Sequence, residues 1–293
     1  MAVTAGLVED RPHFGITLML GAWLLFSFVD TSAKWLVIAG IPALQLAFMR
    51  YAGHFVISLV VIAKDGITRD RFQTGHVWQV VTRALLLITA TFSNFYALNF
   101  LPLTVTSAIM FSSPVIVCAL SGPLLGERVG PWRWFAIMLG FAGVLVVIRP
   151  FGASFHIAML LPLFNAVSLA LYSIMTRKLA GVVATETMQF YLGALGTAIL
   201  LPLAIWAWEW PVSITQWAVL VGLGLFGWAG HQLLTNAHRF GTANTLMPYT
   251  YSFMIYLSVL SYLVFNHLPD QWTVIGAAII VVSGLIIWKR EQR

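Results

Sequence analysis

Asp30 and Lys34 stand four residues apart inside one long apolar run. On a helix that spacing puts carboxylate and ammonium on one face, close enough to pair. A charge at the centre of a bilayer costs about 2.5–3.5 kcal/mol, which leaves this pair two uses. It is a salt bridge near the outer mouth, or a gate whose carboxylate takes up a proton. Arg50 and His54 repeat the spacing in the next run. There the arginine reads as a structural anchor or as a ligand for a substrate.

Polar and aromatic side chains continue at helical intervals. Trp23, Ser27, Asp30 and Lys34 share a face of the first run, and Asn165, Ser168 and Tyr172 share one in the sixth. The third run offers Thr91, Asn94 and Leu98 on one face and Phe92, Tyr96 and Asn99 on another. The eighth carries Trp228, His231 and Thr235; the ninth carries Asn244, Tyr251 and Ser258, with Tyr249 close by. Such groups either hydrogen-bond between helices or line a cavity. In a cavity, Asn and His would hold a substrate's charged ends. Tyr and Trp faces would take its side chain, with cation–π contact to an ammonium. The candidate binding set is therefore Trp23, Ser27, Asn94, Tyr96, Asn99, Asn165, Tyr172, Trp228, His231, Tyr249 and Tyr251. The candidate gating or coupling set is Asp30, Lys34 and Pro248. Pro114, Pro162 and Pro248 each free a carbonyl upstream, and Pro248 beside two tyrosines is the expected hinge. Gly193, Gly196, Gly222, Gly224 and Gly227 read as positions of close helix approach.

Enzyme chemistry has no support in these residues. There is no HExxH pair, no GxSxG elbow and no Walker A loop. Gly152-Ala153-Ser154 faintly resembles the serine loop of an intramembrane protease, but it stands in an expected outer loop without the rest of that motif. The expectation is a protein that is not an enzyme, with no cofactor, no catalytic residue and no metal.

The elements that must position these side chains follow from composition. The chain has 293 residues, 60% of them hydrophobic and 9% charged, with mean hydropathy +0.88. Soluble proteins carry about 25% charged residues, so the solvent here is lipid. Segments in lipid must satisfy their own backbone hydrogen bonds, and runs of this length do so as helices. Ten runs qualify: 14–36, 42–63, 78–100, 103–125, 131–148, 155–177, 185–208, 214–237, 242–266 and 269–288. The first reads as a retained span rather than a signal peptide. Cys118, the single cysteine, excludes an internal disulfide and reads as packing.

With both termini in the cytoplasm, the inner face holds Arg11, Lys64, Arg69, Arg71, Arg83, Arg128, Arg133, Arg177, Lys178, Arg239, Lys289, Arg290 and Arg293. The outer face keeps only Lys34 and Arg149. That asymmetry follows the positive-inside rule and reads the net charge of +6 as topology. Nucleic acid is not an expected partner. The expected partners are a lipid bilayer and a small-molecule substrate, with the chain acting as a monomer in a bacterial inner membrane.

A weak internal repeat divides the runs five and five. A shift of 140 residues lays Leu120-Ser121 on Leu260-Ser261 and Trp132 on Trp272; a shift of 144 pairs Lys34 with Lys178 and Gln45 with Gln189. Five is odd, so the second half enters the membrane inverted. The expected fold is all-α, with ten transmembrane helices in a 5+5 inverted-topology repeat, residues 1–150 and 151–293.

Leu101-Pro102-Leu103-Thr104-Val105-Thr106-Ser107-Ala108, then Pro114, Leu125-Gly126-Glu127-Arg128 and Gly143-Val144 resemble the end of an EamA domain of the drug/metabolite transporter superfamily. Arg50 sits where many members carry an arginine. The second copy departs from the pattern, with His267 for the glutamate and Met254 for the proline. Among ten-span members the chain most resembles the YddG-type amino-acid exporters. The resemblance implies a secondary transporter working by alternating access, its cavity surrounded by spans one, three, four, six, eight and nine. It implies export of neutral, aromatic or hydrophobic amino acids. The alternative is a carrier of other metabolites such as drugs, nucleosides or nucleotide sugars. Polyanions would want several cations in the cavity, and only Lys34 and Arg50 are on offer.

Overall fold

The structure, a computed structural model, describes residues 11–64, 73–125, 130–149, 155–179, 182–240 and 246–291. Glu127 and Arg128, Gly152 to Ser154, Asn244 and the charged residues between 65 and 72 lie outside the described residues. The described secondary structure is helical throughout: α1 (Pro12–Ile38), α2 (Ala43–Lys64), α3 (Val77–Ala97), α4 (Leu103–Met110), α5 (Ser113–Leu125), α6 (Pro131–Ile148), α7 (Leu160–Leu179), α8 (Thr185–Trp206), α9 (Ile214–Phe240), α10 (Ser252–Phe265) and α11 (Gln271–Glu291). Short 3-10 segments, Ile157–Met159 and Met247–Tyr251, lead into α7 and α10.

Among the described residues, eight segments are long and apolar enough to cross a membrane; Leu103–Leu120 among them runs through α4 into α5. The shorter apolar helices Trp134–Ile148 and Tyr249–Phe265 supply the fifth and ninth passes. The chain is an all-α integral membrane protein of ten passes, five to each half, with the second half inverted.

Local chemistry explains where the passes bend and stop. Pro114 has no amide to offer the Met110 carbonyl. Thr106, Ser107 and Ser112 donate their hydroxyls to the carbonyls of Leu103, Thr104 and Ile109, a pattern that bends helices. The fourth pass accordingly breaks at Phe111-Ser112. At the end of α1, Gly40 takes φ 90° and the Ile41 amide turns back to the Leu36 carbonyl, a glycine C-cap.

The passes gather into two compact units, each taking segments from both halves of the sequence. One comprises Ser32–Leu101 and Ala158–Trp228. In it α2 and α9 meet backbone to backbone: a Cβ added at Gly53 would lie 2.8 Å from the Gly224 Cα. Gly193 and Gly196 back onto Phe55 and the Tyr51 ring. Gly222 differs, since an added Cβ there would meet only Phe226 of its own helix. The other unit comprises Met1–Thr31, Pro102–Ile157 and Ala229–Arg293. There α6 and α11 approach at Gly143 and Gly276, and Ser283 donates to the Ala136 carbonyl at 2.6 Å. Interhelical bonds of this kind contribute about 0.6–1.7 kcal/mol in membranes.

Candidate functional site

In the unit holding α4 to α6, α10 and α11, six rings gather around the break in the fourth pass. Trp23 on α1 lies edge-on to Phe26 at 5.6 Å and to Phe253 at 5.4 Å. Phe26 meets His231 of α9 at 5.0 Å. Phe111, at the break itself, meets Tyr251 at 5.5 Å and Phe253 at 5.9 Å. The break turns Phe111 toward these partners, and Tyr251 comes from the 3-10 turn before α10. Phe253 is buried behind, while Trp23, His231 and Tyr251 are each half-buried. Three residues from three separate sequence stripes are thus brought together. Ser27 is fully buried and donates to the Leu24 carbonyl of its own turn. Asp30 is half-buried on α1. Tyr249 is partly exposed and its carbonyl accepts from Ser252. Pro248 lies in the 3-10 turn, with its side chain outside the description.

The other unit is cationic. Arg50 donates to Thr91 at 2.6 Å, and its guanidinium lies over the Tyr51 and Phe95 rings at 5.6 and 6.0 Å. Tyr51, itself buried, bonds the same Thr91 and the Leu87 carbonyl. Gly227 makes the room: a Cβ there would sit 3.3 Å from Arg50 Nε. Lys34 reaches across to α3, donating to the carbonyls of Leu98 at 2.5 Å and Leu101 at 3.0 Å. Gln45 clamps Glu209 through both backbone groups at 3.0 Å. Asn94 and Asn165 are buried and Trp228 is half-buried. Tyr96 is 44% exposed, stacked with Phe92 on the open side of α3, and Asn99 bonds back to the Tyr96 carbonyl. The sequence separated these two faces of α3; the structure buries only the face of Thr91 and Asn94.

Arg83 is the cation that sequence reasoning placed elsewhere. It reads as an inner-face topology charge, yet it is 3% exposed. Its Nε donates to Thr176 at 2.7 Å and its Nη2 to the Tyr172 hydroxyl at 2.6 Å. A signal was present, because Arg83 lies on the buried stripe that continues through Leu87, Thr91 and Asn94.

The chain matches the EamA-like transporter family over residues 13–149 and again over 156–289. It is 30% identical to a riboflavin transporter of Vibrio cholerae over 288 residues, 98% of this chain and 96% of that one. It is 28% identical to an S-adenosylmethionine uptake transporter of Rickettsia bellii, covering 92% of this chain and 94% of the relative. It is 25% identical to the pseudopaline exporter CntI of Pseudomonas aeruginosa, covering 98% and 100%. A crystal structure of a protein at 22% identity aligns over 95% of this chain and 99% of its own with a TM-score of 0.65, a likeness of fold. Matched in both halves and along nearly its whole length, the chain belongs to the EamA-like transporter family and is a multi-pass membrane transporter of small molecules, not an enzyme.

Proposed function

We propose that this protein is a secondary transporter of small metabolites bearing a flat aromatic or heteroaromatic ring, moved by alternating access with both termini in the cytoplasm. The observation that carries the reading is the ring cluster of Trp23, Phe26, Phe111, His231, Tyr251 and Phe253. Aromatic faces take aromatic ligands in offset or edge-on geometry. Trp23, His231 and Tyr251 form the ring-binding wall; in the other unit Arg50 donates to Thr91 and lies over two ring faces.

The relatives' names favour heteroaromatic cargo, since they include riboflavin and S-adenosylmethionine. Aromatic amino acids offer the same kind of ring on a smaller zwitterion and form the second reading. Direction is not set by family, because both an uptake transporter and an exporter are among these relatives. Counterflow in proteoliposomes tests the substrate. Vesicles are preloaded with unlabelled riboflavin, tryptophan or a hexose phosphate, which carries no aromatic ring, and the labelled counterpart is supplied outside. Exchange with riboflavin or tryptophan but not the hexose phosphate supports the proposal. Exchange with the hexose phosphate alone would keep the family and discard the ring-binding role.

A further inference from the structure

Arg83 sits about 9 Å inside α3, counted as six residues from Val77 at the helical rise. An arginine that serves only as a topology charge snorkels toward water. Arg83 does the opposite and is 3% exposed. Its Nε and Nη2 are taken by Thr176 and Tyr172, and its guanidinium lies 4.4 Å from the Tyr172 ring centre. Nη1 is buried and has no hydrogen-bond partner. No carboxylate among the described residues forms an ion pair with it. Glu186 and Glu209, the described acids of this unit, are exposed.

A buried cation with an unmet donor is costly unless an anion completes it. The same bundle holds a further unmet polar atom. Gln189 of α8 hydrogen-bonds the buried His54 of α2, and His54 lies within electrostatic reach of Arg83. The Oγ of Ser58, one turn on from His54, is buried without a partner. At this end of the bundle an open surface depression of about 480 Å³ lies between Gln73, Thr74, Gly75, Val77 and Tyr191. Tyr191 also packs on the apolar plug of Val80, Leu179, Val183 and Met188. Arg83 lies one turn beyond Val80.

We infer that α2, α3, α7 and α8 hold an oxyanion-binding site centred on Arg83, which takes the carboxylate or phosphate of a small molecule. Tyr172 and Thr176 orient the guanidinium, and Nη1 donates to the anion. Arginine suits this task because its planar fork matches a carboxylate or phosphate. The site is independent of the ring cluster, which lies in the other unit.

The test is the melting temperature of the detergent-solubilised protein in acetate, inorganic phosphate or chloride at constant ionic strength. A rise of about 3 °C over chloride is expected at tenfold the dissociation constant. A rise with acetate assigns carboxylate, and a rise with phosphate assigns phosphate. Arg83→Gln abolishes the rise, whereas Lys64→Gln, at an exposed cation, keeps it. If Arg83→Gln does not fold, Arg83→Lys serves, with roughly tenfold weaker binding expected from loss of the fork. A wild-type protein indifferent to both oxyanions overturns the site. So does an Arg83→Gln protein that still responds, or an Arg83→Lys protein with unchanged affinity for both.

Discussion

The ammonium of Lys34 donates to the carbonyl oxygen of Leu98 at 2.5 Å. Leu98 follows the last residue of α3, where carbonyls have run out of helical donors. Lys34 also takes the Leu101 carbonyl, and so caps α3 from a different helix, with its charge placed at the negative end of the dipole. Lys34→Met should therefore destabilise the protein by about 1–3 kcal/mol through stranded carbonyls. Thermal unfolding in detergent reads this directly. A Lys34→Met protein that melts with the wild type would reduce the contact to an incidental one.

The ten passes were legible because runs of about 20 apolar residues have no other stable form in lipid. The break in the fourth pass was half legible, since Pro114 marks it but only the hydroxyls of Thr106, Ser107 and Ser112 complete it. The partners of Lys34 were hidden for a simple reason. Asp30 is visible as an acid four residues away, whereas backbone carbonyls leave no trace in a sequence. Arg83 was hidden because a basic residue near a helix end reads alike whether it snorkels or turns inward. Its place on the stripe of Leu87 and Thr91 was the available clue. The ring cluster joins residues from α1, α9 and the turn before α10, and no spacing rule reports such an encounter.

Tyr251 rests its hydroxyl against Gly284 of α11, where an added methyl would collide with it. Gly284→Ala should push the ring out of register with Phe111 without touching the cluster itself. Ring contacts contribute about 0.5–1.5 kcal/mol each, so apparent affinity for riboflavin in counterflow should fall about 2- to 12-fold. Tyr251→Phe keeps the ring and should transport nearly normally. If Gly284→Ala exchanges riboflavin as the wild type does, Tyr251 is not part of the binding wall.

Two glycines on α9 should respond in opposite ways to the same substitution. Gly224 faces Gly53 so closely that a Cβ would lie 2.7 Å from its Cα. Gly224→Ala must separate two backbones and should cost about 1–3 kcal/mol, as overpacking does. Gly222→Ala meets no neighbouring helix and should be neutral or stabilising by up to about 1 kcal/mol, from helix propensity. The two melting curves, compared with wild type, test the contact. Equal shifts would show that α2 and α9 do not meet as closely as described.

Asp270 caps α11 and reaches α6 at the same time. Its Oδ1 accepts from the Thr273 amide at 2.8 Å, and its Oδ2 receives the Arg149 guanidinium at 2.7 Å. Burial alone would raise its pKa, but the bonding with Thr273 and the charge of Arg149 outweigh that and hold it below the ordinary 3.8. A depressed carboxylate stabilises the fold above its unfolded value, and that contribution is lost as pH falls through the folded value. Asp270→Asn keeps a capping oxygen but removes the charge. The pair is about half exposed on the Asp270 side, so the melting gap to wild type at neutral pH should correspond to less than about 1 kcal/mol. Added salt should shrink it. Lowering the pH through about 4 and below should close it, because both proteins then carry a neutral group at 270. A gap that stays constant from pH 7 to pH 3 would mean the carboxylate's charge contributes nothing there and that the cap alone ties α11 down.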